Sequence, residues 1–119
     1  MSSELREKII EALKNVYDPE IPINIWDLGL VYDVRVDDEG NVYVLMTLTA
    51  PGCPLANTLT INVEDVIRGV DGVKDVTVEL TFDPPWNPNK MTPEGRELFK
   101  KLYGYDIVEY WENVYEKNF

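Results

Sequence analysis

The sequence contains no histidine and only one cysteine among its 119 residues. Without histidine, the chain has no Ser-His-Asp or Cys-His catalytic pair, no imidazole zinc ligand and no side chain whose ordinary pKa lies near neutral pH. A single cysteine cannot form a disulfide within the chain, so no covalent cross-link supports the fold. These two absences exclude histidine-dependent catalysis and an intrachain disulfide, and they direct attention to the one thiol, Cys53.

Positive charge and long apolar runs are also scarce. Eleven Lys and Arg residues stand against twenty-two Asp and Glu residues, which gives a net charge of −11. A surface this acidic repels phosphate backbones and disfavours nucleic-acid binding. No apolar run approaches the roughly 20 residues that cross a bilayer, and the first residues lack the layout of a secretory signal. We therefore predict a cytoplasmic protein that binds neither nucleic acid nor membrane.

The hydrophobic pattern predicts alternating helices and strands within one domain. Helical spacing places Leu5, Ile9, Leu13, Val16 and Tyr17 on one face, and alternating apolar residues mark three strands, the third ending at Phe82. The predicted elements are a helix over 3–17, strands over 28–37 and 42–49, a helix from 55 to about 68, a strand over 74–82 and a helix over 92–103.

This order, α-β-β-α-β-α, predicts an α+β fold. Because each strand has one mostly apolar face, we expect a two-layer α/β sandwich in which a small three-stranded mixed sheet carries helices on one face. Residues 1–103 are predicted to form the domain. Residues 104–119 form an aromatic and acidic C-terminal extension, which is predicted to pack on the same domain and can add another helix.

The stretch TAPGCPLA, residues 49–56, places the cysteine where a strand gives way to a helix. Pro54 suits the first position of a helix, which makes Cys53 the cap residue or its neighbour. The partial positive charge and free N–H groups of a helix N-terminus stabilise a thiolate, so the pKa of Cys53 should fall below about 8.5. Gly52 permits a close approach of the backbone. These features predict a nucleophilic, metal-competent thiol; the alternative is a small apolar residue in a tight turn.

Two threonines stand at the end of the preceding strand. Thr47 and Thr49 are predicted to point together and to supply hydroxyl groups near the Cys53 sulfur. The alternative is a solvated threonine pair on the polar face of the sheet.

Three carboxylates lie in the loop DPEIPINIWD, residues 18–27. Asp18 precedes a proline and is suited to forming a turn. Glu20 and Asp27 are surrounded by apolar residues, and acids in such surroundings are paired, hydrogen-bonded or functional. Trp86, in the loop DPPWNPN (83–89), is predicted either to cover the thiol or, as we favour, to belong to the core.

Three blocks of sequence resemble one family. DPEIPINIWDLGLVYDV (18–34), MTLTAPGCPLA (46–56) and LTFDPPWNPNKMTPEGR (80–96) are similar to the SufT-like and PaaD-like iron–sulfur cluster assembly proteins, whose domain is also fused to Mrp-type scaffold ATPases. The blocks occur in the family's order over about residues 5 to 100.

The resemblance implies a maturation factor for iron–sulfur proteins and not an enzyme. It implies that Cys53 takes the place of the family's reactive cysteine, and that a transient iron–sulfur cluster is its cofactor or cargo. It also implies matching motif residues, namely Asp18, Glu20, Asp27, Thr47 and Thr49. The implied partners are recipient apoproteins and the assembly machinery, either a scaffold ATPase or Suf-type proteins, with a homodimer as a further option.

Three other functions fit parts of the sequence. The chain can act as an adaptor that recruits iron–sulfur clients without binding a cluster, and its cysteine is then chemically irrelevant. It can be a thiol-dependent transferase or hydrolase, although the absence of histidine disfavours this. Gly69-Val-Asp-Gly72 fits a KH-type Gly-x-x-Gly loop for nucleic acid, but Asp71 and the following strand favour a helix-ending turn.

Overall fold

The computed structural model describes residues 2–18, 21–49 and 56–113. The helices and strands within these ranges follow the order α1-β1-β2-α2-β3-α3-α4, and a 3₁₀ turn, Pro88–Lys90, precedes α3. Their bounds are α1 Ser2–Leu13, β1 Val31–Val36, β2 Asn41–Met46, α2 Ala56–Arg68, β3 Asp75–Leu80, α3 Pro93–Tyr103 and α4 Ile107–Trp111. The predicted α+β class and element order are confirmed.

The three strands form one mixed sheet in the order β1-β2-β3. β1 and β2 pair antiparallel as a hairpin. β2 and β3 pair parallel, and α2 connects them as a crossover. The Asp37 carboxylate closes the hairpin turn by accepting hydrogen bonds from the backbone N–H groups of Glu39 and Asn41, both at 2.9 Å. A register shift between Val31 and Asp33 interrupts the alternation predicted for β1.

The core lies between the sheet and the first two helices. α1 packs on β1, α2 packs on β3, and the two helices also contact each other. Apolar residues recur at spacings of four along each helix, so the same face of each helix turns toward the sheet. Each fully buried aliphatic side chain contributes about 1.5–3 kcal/mol. The buried side chains of this layer are Ile9, Leu13, Leu59, Val63, Ile67, Val34, Val42, Val44, Met46 and Val76.

Two residues predicted to face the core are exposed. The helix predicted over 3–17 ends at Leu13, and Tyr17 instead forms an isolated antiparallel bridge with Asn24 that leaves its side chain 57% exposed. β3 ends at Leu80, so Phe82 lies beyond the sheet and is also exposed. Both predictions extended a hydrophobic pattern past the point where the backbone changes direction.

Two loops meet beside the sheet. The first, called here the acidic loop, is residues 18–30, and its side chains Ile23, Ile25, Leu28 and Leu30 are fully buried. The second, called here the proline loop, is residues 81–92, and it leads through the 3₁₀ turn into α3. α4 packs against α3 and the 3₁₀ turn, where Val108 is buried. In the described part of the chain, no helix is both long and apolar enough to cross a bilayer.

Candidate functional site

The three sequence blocks converge on residues 27–30 of the acidic loop. The backbone N–H of Thr47, from the second block, donates to the Leu30 carbonyl at 2.8 Å. The indole N–H of Trp86, from the third block, donates to the Leu28 carbonyl at 2.6 Å. The fold therefore brings into contact three segments that are far apart in sequence.

Asp27 joins the acidic loop to the start of α3. Its carboxylate accepts hydrogen bonds from the Thr92 hydroxyl and from the Asn24 side-chain amide, both at 2.8 Å. Its backbone carbonyl accepts from the Thr92 N–H at 2.9 Å, and Thr92 in turn caps α3 by accepting from the Gly95 N–H at 3.0 Å. Oδ1 of Asp27 thus joins the acidic loop to the start of α3, while Oδ2 accepts a hydrogen bond within the loop.

Asp18 is hydrogen-bonded to residues 21 and 23. Its side chain is buried, and its Oδ1 accepts a hydrogen bond from the backbone N–H of Ile21 at 3.0 Å. Its own N–H donates to the Ile23 carbonyl at 3.3 Å. These two bonds fix the position of Asp18 relative to Ile21 and Ile23.

Thr47 is fully buried directly after β2. Within the described residues its Oγ1 has no hydrogen-bond partner. A buried hydroxyl without a partner costs about 1–3 kcal/mol, and such groups are rare in native proteins. The predicted alternative, a solvated threonine pair, does not hold for Thr47, while Thr49 is half-buried.

Tyr32 lies close to Thr47, at the bulge in β1. Its hydroxyl donates to the Pro84 carbonyl at 2.7 Å, and the Lys90 ammonium lies 5.0 Å from the centre of its ring. Burial raises the pKa of Tyr32, and the neighbouring Thr47 hydroxyl offsets part of this rise. The Thr47 hydroxyl is close enough to Tyr32 to affect the pKa of the phenol. The geometry between the two groups is nevertheless not that of a hydrogen bond, so Thr47 Oγ1 has no partner among the described residues.

Cys53, Gly52 and Glu20 lie outside the described residues, as does Pro54. The predictions made for them, a thiolate at a helix N-terminus above all, stay predictions. Among the described residues, no three Asp or Glu side chains are grouped so as to hold a metal ion.

Trp86 is half-buried and packs against the core, as favoured from the sequence. Its indole N–H holds the proline loop onto the acidic loop, as described above. The alternative, that Trp86 covers the thiol, stays a prediction because Cys53 lies outside the described residues.

Sequence reasoning missed three contributors to this region, Asn24, Tyr32 and Lys90. The sequence predicts a regular alternation over 28–37, which includes Tyr32, and the bulge that interrupts it leaves no signal in the sequence. The helix predicted over 92–103 begins at Thr92, but the bond from Thr92 to Asp27 joins residues 65 positions apart and depends on tertiary structure.

A cavity of about 570 Å³ lies away from these residues. It is formed by the start of α1, the β1–β2 turn and the α2–β3 turn, and its lining includes Asp37, Asp38, Glu39 and Asp71. It contains none of the predicted site residues. The α2–β3 turn, residues 69–74, leads from a helix into a strand and so lacks the two flanking helices of a KH loop.

Comparison with known proteins places these observations in a family. A family model described as "Iron-sulfur cluster assembly protein" matches residues 6–80. A Porphyromonas gingivalis protein called "Fe-S protein maturation auxiliary factor" is 48% identical over 92 residues, which cover 77% of this chain and 88% of the relative. The Staphylococcus aureus "Fe-S protein maturation auxiliary factor SufT" is 43% identical over 77 residues, covering 65% of this chain and 88% of the relative.

The fold also matches a solved structure. A crystal structure of a domain of unknown function from Bacillus anthracis superposes with a TM-score of 0.77 at 32% identity, covering 82% of this chain and 93% of that one. The match extends the likeness from sequence to three-dimensional arrangement.

Proposed function

This chain belongs to the iron–sulfur cluster assembly protein family, and from that membership we propose that it is a maturation factor that helps deliver iron–sulfur clusters to recipient apoproteins. The observation that carries the proposal is the family match over residues 6–80, which includes Cys53 between β2 and α2. The cluster is cargo in this account, and the chain carries out no catalytic turnover. Its partners are recipient apoproteins and the assembly machinery, either a scaffold ATPase or Suf-type proteins.

The composition of the chain limits how it can hold a cluster. Iron–sulfur clusters generally take four protein ligands, mostly thiolates. One cysteine and no histidine cannot supply such a set. Either two chains pair across the site, or the cluster is held transiently with ligands from outside. Incomplete ligation suits a donor, because a recipient with a full set of cysteines then binds the cluster more tightly.

We infer that residues at the end of β2, in the acidic loop and in the proline loop surround the thiol. Thr47 offers a buried hydroxyl without a partner among the described residues, next to the Tyr32 phenol. Asp27 and Trp86 act as positioning residues in this proposal, since their hydrogen bonds fix the acidic loop to the proline loop. Their effect on a cluster would be indirect.

A second candidate function is that of an adaptor, which recruits recipients without holding a cluster. The presence of only one thiol favours this alternative. The two functions share their partners and differ in the need for the Cys53 sulfur.

Anaerobic reconstitution with iron and sulfide tests the proposal. The wild-type chain should develop visible charge-transfer absorption and then transfer its cluster to an added apo-ferredoxin. Cys53→Ser should show neither the absorption nor the transfer. Thr77→Ser, an exposed substitution on β3, is the control and should behave as wild type. Equal absorption in wild type and Cys53→Ser would contradict direct cluster binding by the thiol. If neither chain takes up iron, yet both recruit recipients equally, the adaptor function is correct.

A further inference from the structure

The two edges of the sheet differ in how they are covered. At β1, the α1 helix packs on the strand, a register shift interrupts the pairing, and the Arg6 guanidinium donates to the Val34 carbonyl at 3.4 Å. Natural sheets protect their edges in such ways, because an uncovered edge pairs readily with another strand. At the other edge, β3 contacts only its neighbour β2 and the α2 helix among the described helices and strands.

The chain that follows β3 leads away from this edge. β3 ends at Leu80, and four residues later the Pro84 carbonyl accepts the hydrogen bond from Tyr32 on β1, at the opposite side of the sheet. The Trp86 indole then donates to the acidic loop. The proline loop therefore crosses the end of the sheet and does not run along the outer side of β3.

The backbone N–H and C=O groups of Val78 and Leu80 point to this outer side. The Thr81 N–H donates to the Met46 carbonyl of β2 at 2.9 Å. Because successive residues of a strand direct these groups to opposite sides, those of Val78 and Leu80 point away from β2. No described residue outside the ladder forms a backbone hydrogen bond with them. We call these outward groups of Val78 and Leu80 the open edge.

Asp75 protects only the start of β3. Its Oδ1 accepts the Val76 N–H at 2.9 Å, which occupies the first outward donor of the strand. In the described part of the chain, no side chain does the same for the open edge. Unpaired edge donors and acceptors are a template for an added strand, and strand addition is a recurring mode of peptide recognition.

The side chains along the open edge are apolar on one face of the sheet and acidic on the other. Val78 and Leu80 are half-buried and pack against the core. Glu79 is exposed on the opposite face, where it accepts a hydrogen bond from the Tyr43 hydroxyl. It forms no ion pair with a described residue. An added strand would therefore place its side chains alternately beside the two apolar residues and beside Glu79.

The charges around the open edge select a basic partner. Residues 56–83, from the start of α2 to just beyond β3, carry six acids and two bases, and the whole chain has a net charge of −11. These eight residues are Glu64, Asp65, Asp71, Asp75, Glu79, Asp83, Arg68 and Lys74. Arg35, the cation on the same face of the sheet, is already paired with Asp33 at 2.7 Å. A basic segment is thus attracted at the edge and at longer range, whereas a second copy pairing through its own β3 would bring like charges together.

We propose that the open edge binds an extended segment of a partner protein in which basic and apolar residues alternate. The backbone of that segment pairs with the outward groups of Val78 and Leu80. Its apolar side chains pack beside these two residues, and its basic side chains lie beside Glu79. Backbone pairing provides affinity, and the alternating side chains select the partner. The inference goes beyond the proposed function, because it holds whether or not the chain binds a cluster.

Two labelled extended peptides test this inference on the full chain by fluorescence anisotropy. Both alternate valine with a charged residue, which is lysine in one peptide and glutamate in the other. The lysine peptide should bind, more weakly at high ionic strength, and the glutamate peptide should not bind. Comparable binding of both peptides, or of neither, overturns the proposal.

Methylated peptides separate strand pairing from simple attraction between opposite charges. Two versions of the lysine peptide carry backbone N-methyl groups, on the valines in one and on the lysines in the other, so their charges are equal. Because only alternate N–H groups of an added strand face β3, one version should bind and the other should bind more weakly by about tenfold or more. Equal affinities of the two versions, whether kept or lost, overturn the proposal.

Amide hydrogen exchange, followed by NMR, locates the bound lysine peptide. The N–H groups of Val78 and Leu80 should exchange rapidly in the free chain and about tenfold more slowly with the peptide bound. The N–H of Glu79, which faces β2, should be protected in both states. Unchanged exchange at Val78 and Leu80 would overturn the assignment. Protection that appears in the free chain as its concentration rises would overturn it too, by showing that a second copy covers the edge.

Matched variants test the selection by charge. Glu79→Gln keeps an acceptor for the Tyr43 hydroxyl and should weaken binding of the lysine peptide by about two- to fivefold. Glu7→Gln, an equal change of charge at an exposed position of α1, should leave binding unchanged. Equal effects of the two variants would contradict the proposal, since the overall charge of the chain would then account for the binding.

Discussion

At the scale of single residues, the environment of Thr47 differs most from the environment that its side chain favours. Its hydroxyl is buried and has no hydrogen-bond partner among the described residues, although a valine of the same shape would avoid that cost. The sequence predicts Thr47 within the second strand, over 42–49, whereas β2 ends at Met46 and Thr47 follows it. Its burial was not evident, because it depends on the acidic loop, whose Leu30 carbonyl accepts from the Thr47 N–H.

Replacing Thr47 by valine should separate stability from function. Thr47→Val removes only the hydroxyl, so urea unfolding should show equal or greater stability, by about 1 kcal/mol. Iron–sulfur reconstitution should decline if the hydroxyl serves the thiol. Thr47→Ser, the control, keeps the hydroxyl but loses a methyl group; it should cost about 1 kcal/mol and retain reconstitution. A marked loss of stability in Thr47→Val would show that the hydroxyl has a structural partner.

At the scale of elements, the sequence predicted the helices and strands better than the contacts between the acidic loop and the proline loop. We call this region of contact the seam. Regular periodicity fixed β2, α2 and β3 to within a few residues, because side-chain spacing follows directly from backbone geometry. The seam between the acidic and proline loops depends on bonds such as Trp86 to Leu28, 58 residues apart. No local pattern encodes such a bond, so Asp27 was predicted as a site carboxylate without its bond to Thr92.

Alanine substitution at two glycines measures how closely the seam is packed. Gly29 and Gly104 have similar positive φ values, +79° and +84°, so alanine is strained at both by about 1–2 kcal/mol. At Gly29 an added Cβ would also collide with the Lys90 backbone carbonyl, whereas at Gly104 it meets open space. Gly29→Ala should therefore lower the free energy of unfolding clearly more than Gly104→Ala. Equal losses would contradict close packing of the two loops.

The attachment of α4 should depend on acid pH. The Asp106 side chain caps α4 by accepting from the Val108 N–H at 2.9 Å and pairs with Arg96. Burial opposes the shift, but the hydrogen bonds from Arg96 and Val108 together lower the pKa of Asp106. Because the folded-state pKa is the lower one, this stabilisation is present above the ordinary aspartate pKa of about 3.9 and is lost as pH falls through the lowered pKa.

Two variants separate the cap from the ion pair. Asp106→Asn keeps a capping oxygen and should cost about 0.5 kcal/mol at neutral pH, while Asp106→Ala should cost about 1 kcal/mol more. Urea unfolding across acidic pH should show the difference between wild type and Asp106→Asn disappearing as the pH is lowered. A difference that is constant with pH would contradict the role of the Asp106 charge.

At the scale of the whole molecule, a family domain is joined to an element that the family match does not cover. The matched residues, 6–80, contain the sheet, α2 and most of α1, and the α+β class of this part was predicted correctly from periodicity. α4 was predicted only as a further helix that the aromatic and acidic extension can add. The ring of Tyr105 contacts both Phe99 of α3 and Tyr110 of α4, and composition alone does not reveal these contacts.

The central claim, that the chain matures iron–sulfur proteins through the Cys53 sulfur, is tested most directly in cells. A bacterial strain that lacks its own relative of this chain would be complemented with wild type, Cys53→Ser or the control Thr77→Ser at equal protein levels. The activities of an iron–sulfur hydro-lyase and of a metal-free enzyme would then be measured. Wild type and Thr77→Ser should restore only the iron–sulfur enzyme, and Cys53→Ser should fail. Full restoration by Cys53→Ser would contradict the claim.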